Sequence, residues 1–336
     1  MLGGAGILAL LLWRLGTSAF LDGLRVIDGG TLLAAFAIGL TTTVFSAWRW
    51  CLVARGLGMR LPLRAAIADY YKALFLNAAL PGGVLGDVDR AVRHGKDEGD
   101  VGRGVRAVVL ERTAGQIVLV SVGVAVLLSV PSPVLTQLKA HGGIVAGSTV
   151  ALVVAGAVVF LACSRLRHGT SRWAAAARTG IAEIREGLLA RRNWPGIVLA
   201  STVVLGGHLA TFVVAARAAG STASLLRLAP LMLLALLAMT LPVNIGGWGP
   251  REGVTAWAFG AAGLSATQGL TIAVVYGLFA FVAALPGAVV LISRAVAKAR
   301  AARTPAPAAM PVAAPVAMPA PIVAPVPVRV LAHSGA

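Results

Sequence analysis

Six stretches of the chain carry no Asp, Glu, Lys or Arg: Gly29–Trp48, Thr113–Leu138, Gly142–Ser164, Pro195–Ala216, Leu228–Pro250 and Gly253–Ser293. Each has about the length needed to cross ~30 Å of hydrocarbon, roughly 20 residues. A buried soluble core explains one such run, not six. Inside a bilayer every backbone polar group needs a partner within the protein, which a helix supplies along its own length. The runs therefore predict an all-α polytopic membrane protein with about 6–8 transmembrane helices. Composition agrees: 12% of residues are charged, against about a quarter in soluble domains, and the mean hydropathy is +0.87.

The net charge of +17 fits two classes of partner, nucleic acid and the cytoplasmic side of a membrane, where Lys and Arg collect. No basic motif interleaved with aromatic residues accompanies it, so no nucleic-acid partner is expected. Cys51 and Cys163 lie at the ends of apolar segments without metal-like spacing, and His94, His141, His168, His208 and His333 are scattered. No metal and no cofactor is expected. His208 lies within an apolar span, where an interhelical hydrogen bond is its ordinary role. Met1–Trp13 lacks the preceding basic residues of a signal peptide and reads as a short first span, with Arg14 snorkelling.

The basic residues also set an orientation. Seven arginines between Arg165 and Arg192 place that connection in the cytoplasm, whereas Pro131–Gly143 holds only Lys139 and is expected outside. Arg294, Lys298, Arg300 and Arg303 put the C-terminal end inside, and the same alternation puts the N-terminus inside. The expected location is the cell (cytoplasmic) membrane. Ala65–Val84 has basic segments on both sides and carries Asp69, Lys72 and Asn77. A segment that enters from the cytoplasm and turns back meets both facts, provided protein or a wet cavity shields it.

Residues 1–300 form one transmembrane domain on this reading. Within it, 165–194 is a basic linker whose Trp173, Ala177, Ile181, Ile184 and Leu188 recur at helical spacing. Such a helix lies on an anionic leaflet, or is a solvated linker. Residues 301–336 hold eight of the chain's 17 prolines and read as a disordered Ala/Pro-rich cytoplasmic tail.

Two polar interruptions break the apolar pattern, "LNAALPGGVLGDVDR" (Leu76–Arg90) and "LPVNIGGWGPREG" (Leu241–Gly253). Aligning Pro81 with Pro242 brings Gly86 into step with Gly247 and Arg90 with Arg251. Paired Gly/Pro breaks in two halves point to a site between inverted repeats. Proline frees a carbonyl, and Gly82, Gly83, Gly246 and Gly249 allow sharp turns and close approach. A helix that restarts after the break offers free N–H groups to a phosphate. Arg90 and Arg251 bind phosphate bidentately, while Asp87 and Glu252 compensate their charge. Asn77 and Asn244 flank the two prolines and, with Asp87, Arg90, Glu111, Arg112, Arg251 and Glu252, are the expected lipid-headgroup-binding residues. A pair of ordinary surface loops is the alternative.

A third motif, "VVLERTAG", sets Glu111 beside Arg112 at the mouth of the Thr113 run. Neighbours in sequence do not face each other on a helix. Each needs another partner, either an interrupting segment or the membrane interface.

Together "YYKALFLNAALPGGVLGDVDRA", "VVLERTAG" and "LPVNIGGWGPREG" resemble the lysylphosphatidylglycerol synthase transmembrane-region family, also called flippase-like integral membrane proteins. Asn77, Pro81, Gly86, Asp87 and Arg90 fit the first part of that pattern. Glu111 and Arg112 fit the second, and Gly247, Gly249, Arg251, Glu252 and Gly253 the third. Leu85 stands where the family usually has a second glycine. The resemblance implies binding of aminoacylated, hopanoid or polyprenyl-linked lipids. Aminoacyl transfer resides in a separate soluble domain of bifunctional relatives, and about 34 proline-rich residues here are too few for it; no enzyme activity is expected.

The leading expectation is thus a protein that binds an anionic phospholipid or polyprenyl-linked lipid and translocates it between leaflets. One alternative is a membrane-embedded enzyme acting on a lipid phosphate, with Asp87, Asp89 and Glu111 holding a divalent cation. Another is a scaffold subunit for a lipid-modifying or glycosyltransferase partner.

Overall fold

The computed structural model describes residues 18–80, 83–133, 135–136, 172–240 and 248–303, and the chain there is helical. The elements run α1 (Ser18–Arg25), α2 (Gly29–Gly56), α3 (Leu63–Ala79), α4 (Leu85–Asp97) and α5 (Val101–Ser129). They continue with α6 (Arg172–Gly187), α7 (Trp194–Ala218), α8 (Leu225–Ala238), α9 (Pro250–Ala261), α10 (Ala266–Ala284) and α11 (Pro286–Arg303). Among the described residues, four segments are long and apolar enough to cross a bilayer: α2, α5, α7, and Ala266–Arg300, which joins α10 to α11. α8 is apolar but shorter, at 14 residues. The fold is that of a polytopic all-α membrane protein. Met1–Trp13, Lys139, the Gly142–Ser164 run and the proline-rich tail lie outside the described residues.

Two of the helices outrun the charge-free stretches that foretold them. α2 starts where Asp28 accepts a hydrogen bond from the Thr31 amide at 2.8 Å, then continues past Trp48 through Arg49 to Gly56. α5 starts at Val101, where Asp100 accepts from the Arg103 amide at 2.8 Å, ten residues before Glu111. Satisfying the first free amides in this way fixes where a helix begins. A charge inside it is tolerated when a partner waits opposite. Arg49, Glu111 and Arg112 are therefore interior residues of long helices, not loop or rim charges.

α3 and α4 form a hairpin. The Arg60 amide, just before α3, donates to Glu98 Oε2, just after α4, at 3.2 Å, so the segment returns to where it started. The two helices touch backbone to backbone at Gly86, where a Cβ would come within 2.1 Å of the Ala73 carbonyl oxygen.

Two of the apolar cores among the described residues frame the site. The larger joins α7, α8, α9 and α10 through Phe212, Leu228, Phe259, Ile272 and Phe279. The smaller joins α2, α3, α4 and α5 through Ala47, Trp50, Tyr70, Ala91 and Val108. α6 packs on α2 and α5 through Leu188, which meets Val53 and Ala114, and through Arg106 Nε, which donates to Glu183 Oε1 at 2.8 Å. Ile181 and Ile184 on α6 remain exposed.

Candidate functional site

The smaller core surrounds a cluster of charge. Glu111, on α5, is fully enclosed. Its Oε1 accepts from Arg49 Nη2 at 2.6 Å and Nε at 3.0 Å, and from the Tyr70 hydroxyl at 3.3 Å. Its Oε2 accepts from Arg90 Nη2 at 2.7 Å. Arg49 Nη1 reaches the Ser201 hydroxyl on α7 at 3.0 Å. One carboxylate thus ties α2, α3, α4 and α5 together, and Arg49 adds α7.

Asp87, in the first turn of α4, is the second hub. Its Oδ1 accepts from Arg90 Nε at 2.9 Å and from Arg112 Nη2 at 2.7 Å; its Oδ2 accepts from Arg112 Nη2 at 2.8 Å. Glu111 and Arg112 point to different partners, as their adjacency requires, and both partners stand on the first interrupting segment. Burial opposes the charge of Asp87, and the guanidiniums of Arg112 and Arg90 outweigh it, holding its carboxyl below the ordinary range.

Asn77 braces this arrangement: its Oδ1 accepts from the Gly86 amide at 2.7 Å and its Nδ2 donates to Asp87 Oδ2 at 3.1 Å. It closes the start of α4, where no side chain of the preceding residue does so, and holds Asp87 in position. Leu85, at the position where the family usually has a second glycine, opens α4 with its side chain exposed. Pro81 and Gly82 lie outside the described residues.

Aromatic rings flank the guanidinium of Arg90. Its Cζ lies 4.6 Å from the centre of the Trp50 ring and 4.5 Å from that of Tyr70. Ring faces partly offset the loss of hydration of an enclosed cation. Around the cluster, Lys72 meets Asp89 at 2.5 Å and Arg93 meets Asp69. Each carboxylate that could have served a divalent cation (Asp87, Asp89, Glu111) faces a cationic side chain instead, and no metal-holding group of His, Cys, Asp and Glu occurs among the described residues.

The second interruption builds a separate pair. Glu252, third in α9, reaches back to the Gly249 amide at 2.6 Å and accepts from Arg251 Nε at 2.8 Å. Gly249 has φ of +112°, a conformation that side-chain-bearing residues rarely adopt. Arg251 is enclosed, with Trp248 and Tyr276 rings 5.1 Å and 5.2 Å from its Cζ. Pro242, Asn244, Gly246 and Gly247 lie outside the described residues. Tyr276 connects this pair to α7, since its hydroxyl lies 3.0 Å from His208 Nδ1. His208 and Ser201, seven residues apart on α7, thus face the second and first clusters respectively.

Sequence reasoning missed Arg49, Tyr70 and Ser201 as members of the first cluster. Arg49 had a signal: no proline or glycine separates it from the apolar run before Gly56, so the helix had no reason to stop at Trp48. Ser201 had none, because a lone serine in an apolar span is ordinary.

The arrangement can compensate, hold and present positive charge within a membrane bundle. Arg90 has no exposed surface, whereas the Arg112 side chain is 39% accessible. Arg112 is the guanidinium of the cluster that an outside anion can reach. The family model described as "Lysylphosphatidylglycerol synthase TM region" matches residues 1–287, and the chain belongs to that family of integral membrane proteins. A search of curated proteins finds no match.

Proposed function

We propose that this protein binds the phosphate of an anionic phospholipid or polyprenyl-linked lipid and moves the lipid between leaflets of the cell membrane. The observation that carries the reading is the accessible guanidinium of Arg112, positioned by Asp87 at 2.7 Å on a hub that is itself fixed by Asn77 and Arg90. A lipid phosphate exchanges with one carboxylate oxygen at little cost, because the guanidinium fork suits both anions. The α3–α4 hairpin enters from the cytoplasmic side and turns back, supplying polar lining at membrane depth while the tails stay in hydrocarbon. The inner-leaflet face of α6, with Arg178 and Arg185 beside exposed Ile181 and Ile184, concentrates anionic lipid. On this reading the chain works as a binding and transport protein rather than a catalyst.

The test is movement of fluorescent phosphatidylglycerol in proteoliposomes of the pure full chain, together with native mass spectrometry of retained lipids. Retained anionic lipid and leaflet exchange above protein-free vesicles are expected. Retention without exchange would leave a lipid-binding subunit and sink translocation. Neither retention nor exchange would sink the whole reading.

A further inference from the structure

Among the described residues, three polar nitrogens behind the charged cluster are buried without a hydrogen-bond partner: Trp50 Nε1, Arg90 Nη1 and His94 Nε2. Unmade hydrogen bonds of this kind cost about 1–3 kcal/mol each, so three in one place call for a reason. Their side chains touch. The Arg90 guanidinium covers the Trp50 ring at 4.6 Å, and the His94 imidazole meets the same ring edge-to-face at 5.5 Å. Arg90 and His94 are one turn apart on α4 and so share a face. All three residues are at least nine-tenths buried, His94 being the most open at 4%.

What would answer these atoms is set by their chemistry. Indole Nε1–H and guanidinium Nη1–H are donors only, and His94 Nε2 donates in one tautomer. Water could satisfy such a set, and so could a small anion, which the net charge of the cluster favours. Among the described residues, Arg49, Arg90 and Arg112 pair with Asp87 and Glu111, three positive charges against two negative. Arg49 and Arg90 share Glu111, and Asp87 is divided between Arg90 and Arg112. The neighbouring pairs, Lys72 with Asp89 and Asp69 with Arg93, are neutral by themselves. The cluster as a whole therefore carries one net positive charge; Arg49 and Arg90 are enclosed while Arg112 stays accessible, and an added anion would neutralise the set. Burial pushes the His94 imidazole down, against the pull of the nearby Glu98 and Asp97 carboxylates.

We infer that Trp50, Arg90 and His94 form a buried site for a small anionic acceptor, a halide or an oxyanion oxygen, whose charge balances the Arg49–Glu111–Arg90–Asp87–Arg112 cluster. The site is distinct from the accessible face of Arg112 and does not depend on lipid movement. The anion comes either from solution or from the phosphate of a bound lipid, and the two sources are separable by experiment.

The purified full chain, delipidated in neutral detergent, is melted in sodium gluconate, chloride or phosphate at equal ionic strength. It is then melted in nanodiscs of phosphatidylcholine with and without phosphatidylglycerol, in gluconate. Each series is repeated with Trp50→Phe, which keeps the ring and removes the N–H, with His94→Phe, and with the control Trp257→Phe on the exposed face of α9. Chloride or phosphate should raise Tm by roughly 2–6 °C over gluconate at about 10–100 times its dissociation constant, and Trp50→Phe or His94→Phe should lose most of that rise. A rise produced only by phosphatidylglycerol, and lost in the same variants, supports the site with a lipid phosphate as its source. No anion-specific rise in any medium, or a rise that the two variants retain in full like the control, overturns it.

Discussion

Arg90 Nη2 and Glu111 Oε2 lie 2.7 Å apart with neither side chain exposed, one on a short polar helix and the other midway along a membrane-spanning one. The pair fastens the α3–α4 hairpin to α5. Because Glu111 also holds Arg49, removing it strands two guanidiniums together. Glu111→Gln is expected to cost about 3–5 kcal/mol, seen as a large fall in Tm or loss of folded protein in fluorescence-detected size exclusion. Adding Arg90→Gln should return part of the loss, since one stranded charge is gone. Wild-type stability for Glu111→Gln would show that the cluster does not hold the bundle.

Arg112 separates binding from folding. It shares Asp87 with Arg90 but keeps 39% of its side chain accessible, so Arg112→Gln should lower Tm far less than Glu111→Gln while abolishing lipid exchange. Arg112→Lys should restore exchange only in part, because an ammonium keeps the charge without the planar fork. Full exchange by a well-folded Arg112→Gln protein would remove this residue from the lipid path.

Much of this was legible in the sequence, and the reasons for the remainder are physical. Charge-free runs gave the spanning helices, since hydrocarbon excludes charge. The Gly/Pro breaks gave the places where α3 and α8 stop. Neither signal shows how a helix continues through a charge. Arg49 stands just beyond the Gly29–Trp48 run, yet α2 continues through it and carries it inward to Glu111. The adjacency of Glu111 and Arg112 did predict diverging partners, because the helix sends neighbours in different directions. Asn77 braces Gly86 and Asp87, a role its sequence context does not reveal, because a residue type suited to ligands is equally suited to helix starts. Arg251 and Glu252 illustrate the opposite case. Adjacent residues pair with each other there, because Glu252 folds back to the Gly249 amide at the helix start.

Acid should loosen the first cluster through Asp87. Its folded-state pKa lies below the unfolded value, because the Arg112 and Arg90 guanidiniums outweigh burial. Its contribution is therefore present above about pH 4 and is lost as pH falls through the lower folded value. Melting curves from pH 7 to pH 3 should show Tm falling at the acid end. The drop should be smaller in Asp87→Asn, which starts lower at pH 7. An Asp87→Asn protein with the wild-type acid slope would place the loss elsewhere.

The hairpin makes a topological prediction. Arg60 and Glu98 are in contact, so cysteines at Arg60 and Asp97 should be labelled from the same side of the membrane. That side should be the cytoplasm, shared with a probe at Arg178 and opposite to one at Lys139, with the N-terminus and the proline-rich tail inside. Labelling of Arg60 and Asp97 from opposite sides would mean that the segment crosses, and the paired-break reading would fall.

The second pair offers the sharpest discrimination between headgroup binding and structure. Arg251 is enclosed and bonded to Glu252 at 2.8 Å, between the Trp248 and Tyr276 rings. Arg251→Gln should abolish lipid exchange on either account: it loses a phosphate ligand, or it leaves Glu252 buried and uncompensated. The double change Arg251→Gln with Glu252→Gln separates them. The amide introduced by Glu252→Gln still offers an oxygen to the Gly249 N–H, and no unpaired charge remains. If the pair is only structural, the double variant should regain both stability and exchange. If Arg251 receives the phosphate on its way from Arg112, the double variant should fold to within about 1 kcal/mol of wild type yet remain inactive. Proteoliposome exchange measured beside Tm decides the matter, and a stable, active double variant would exclude Arg251 from the lipid path.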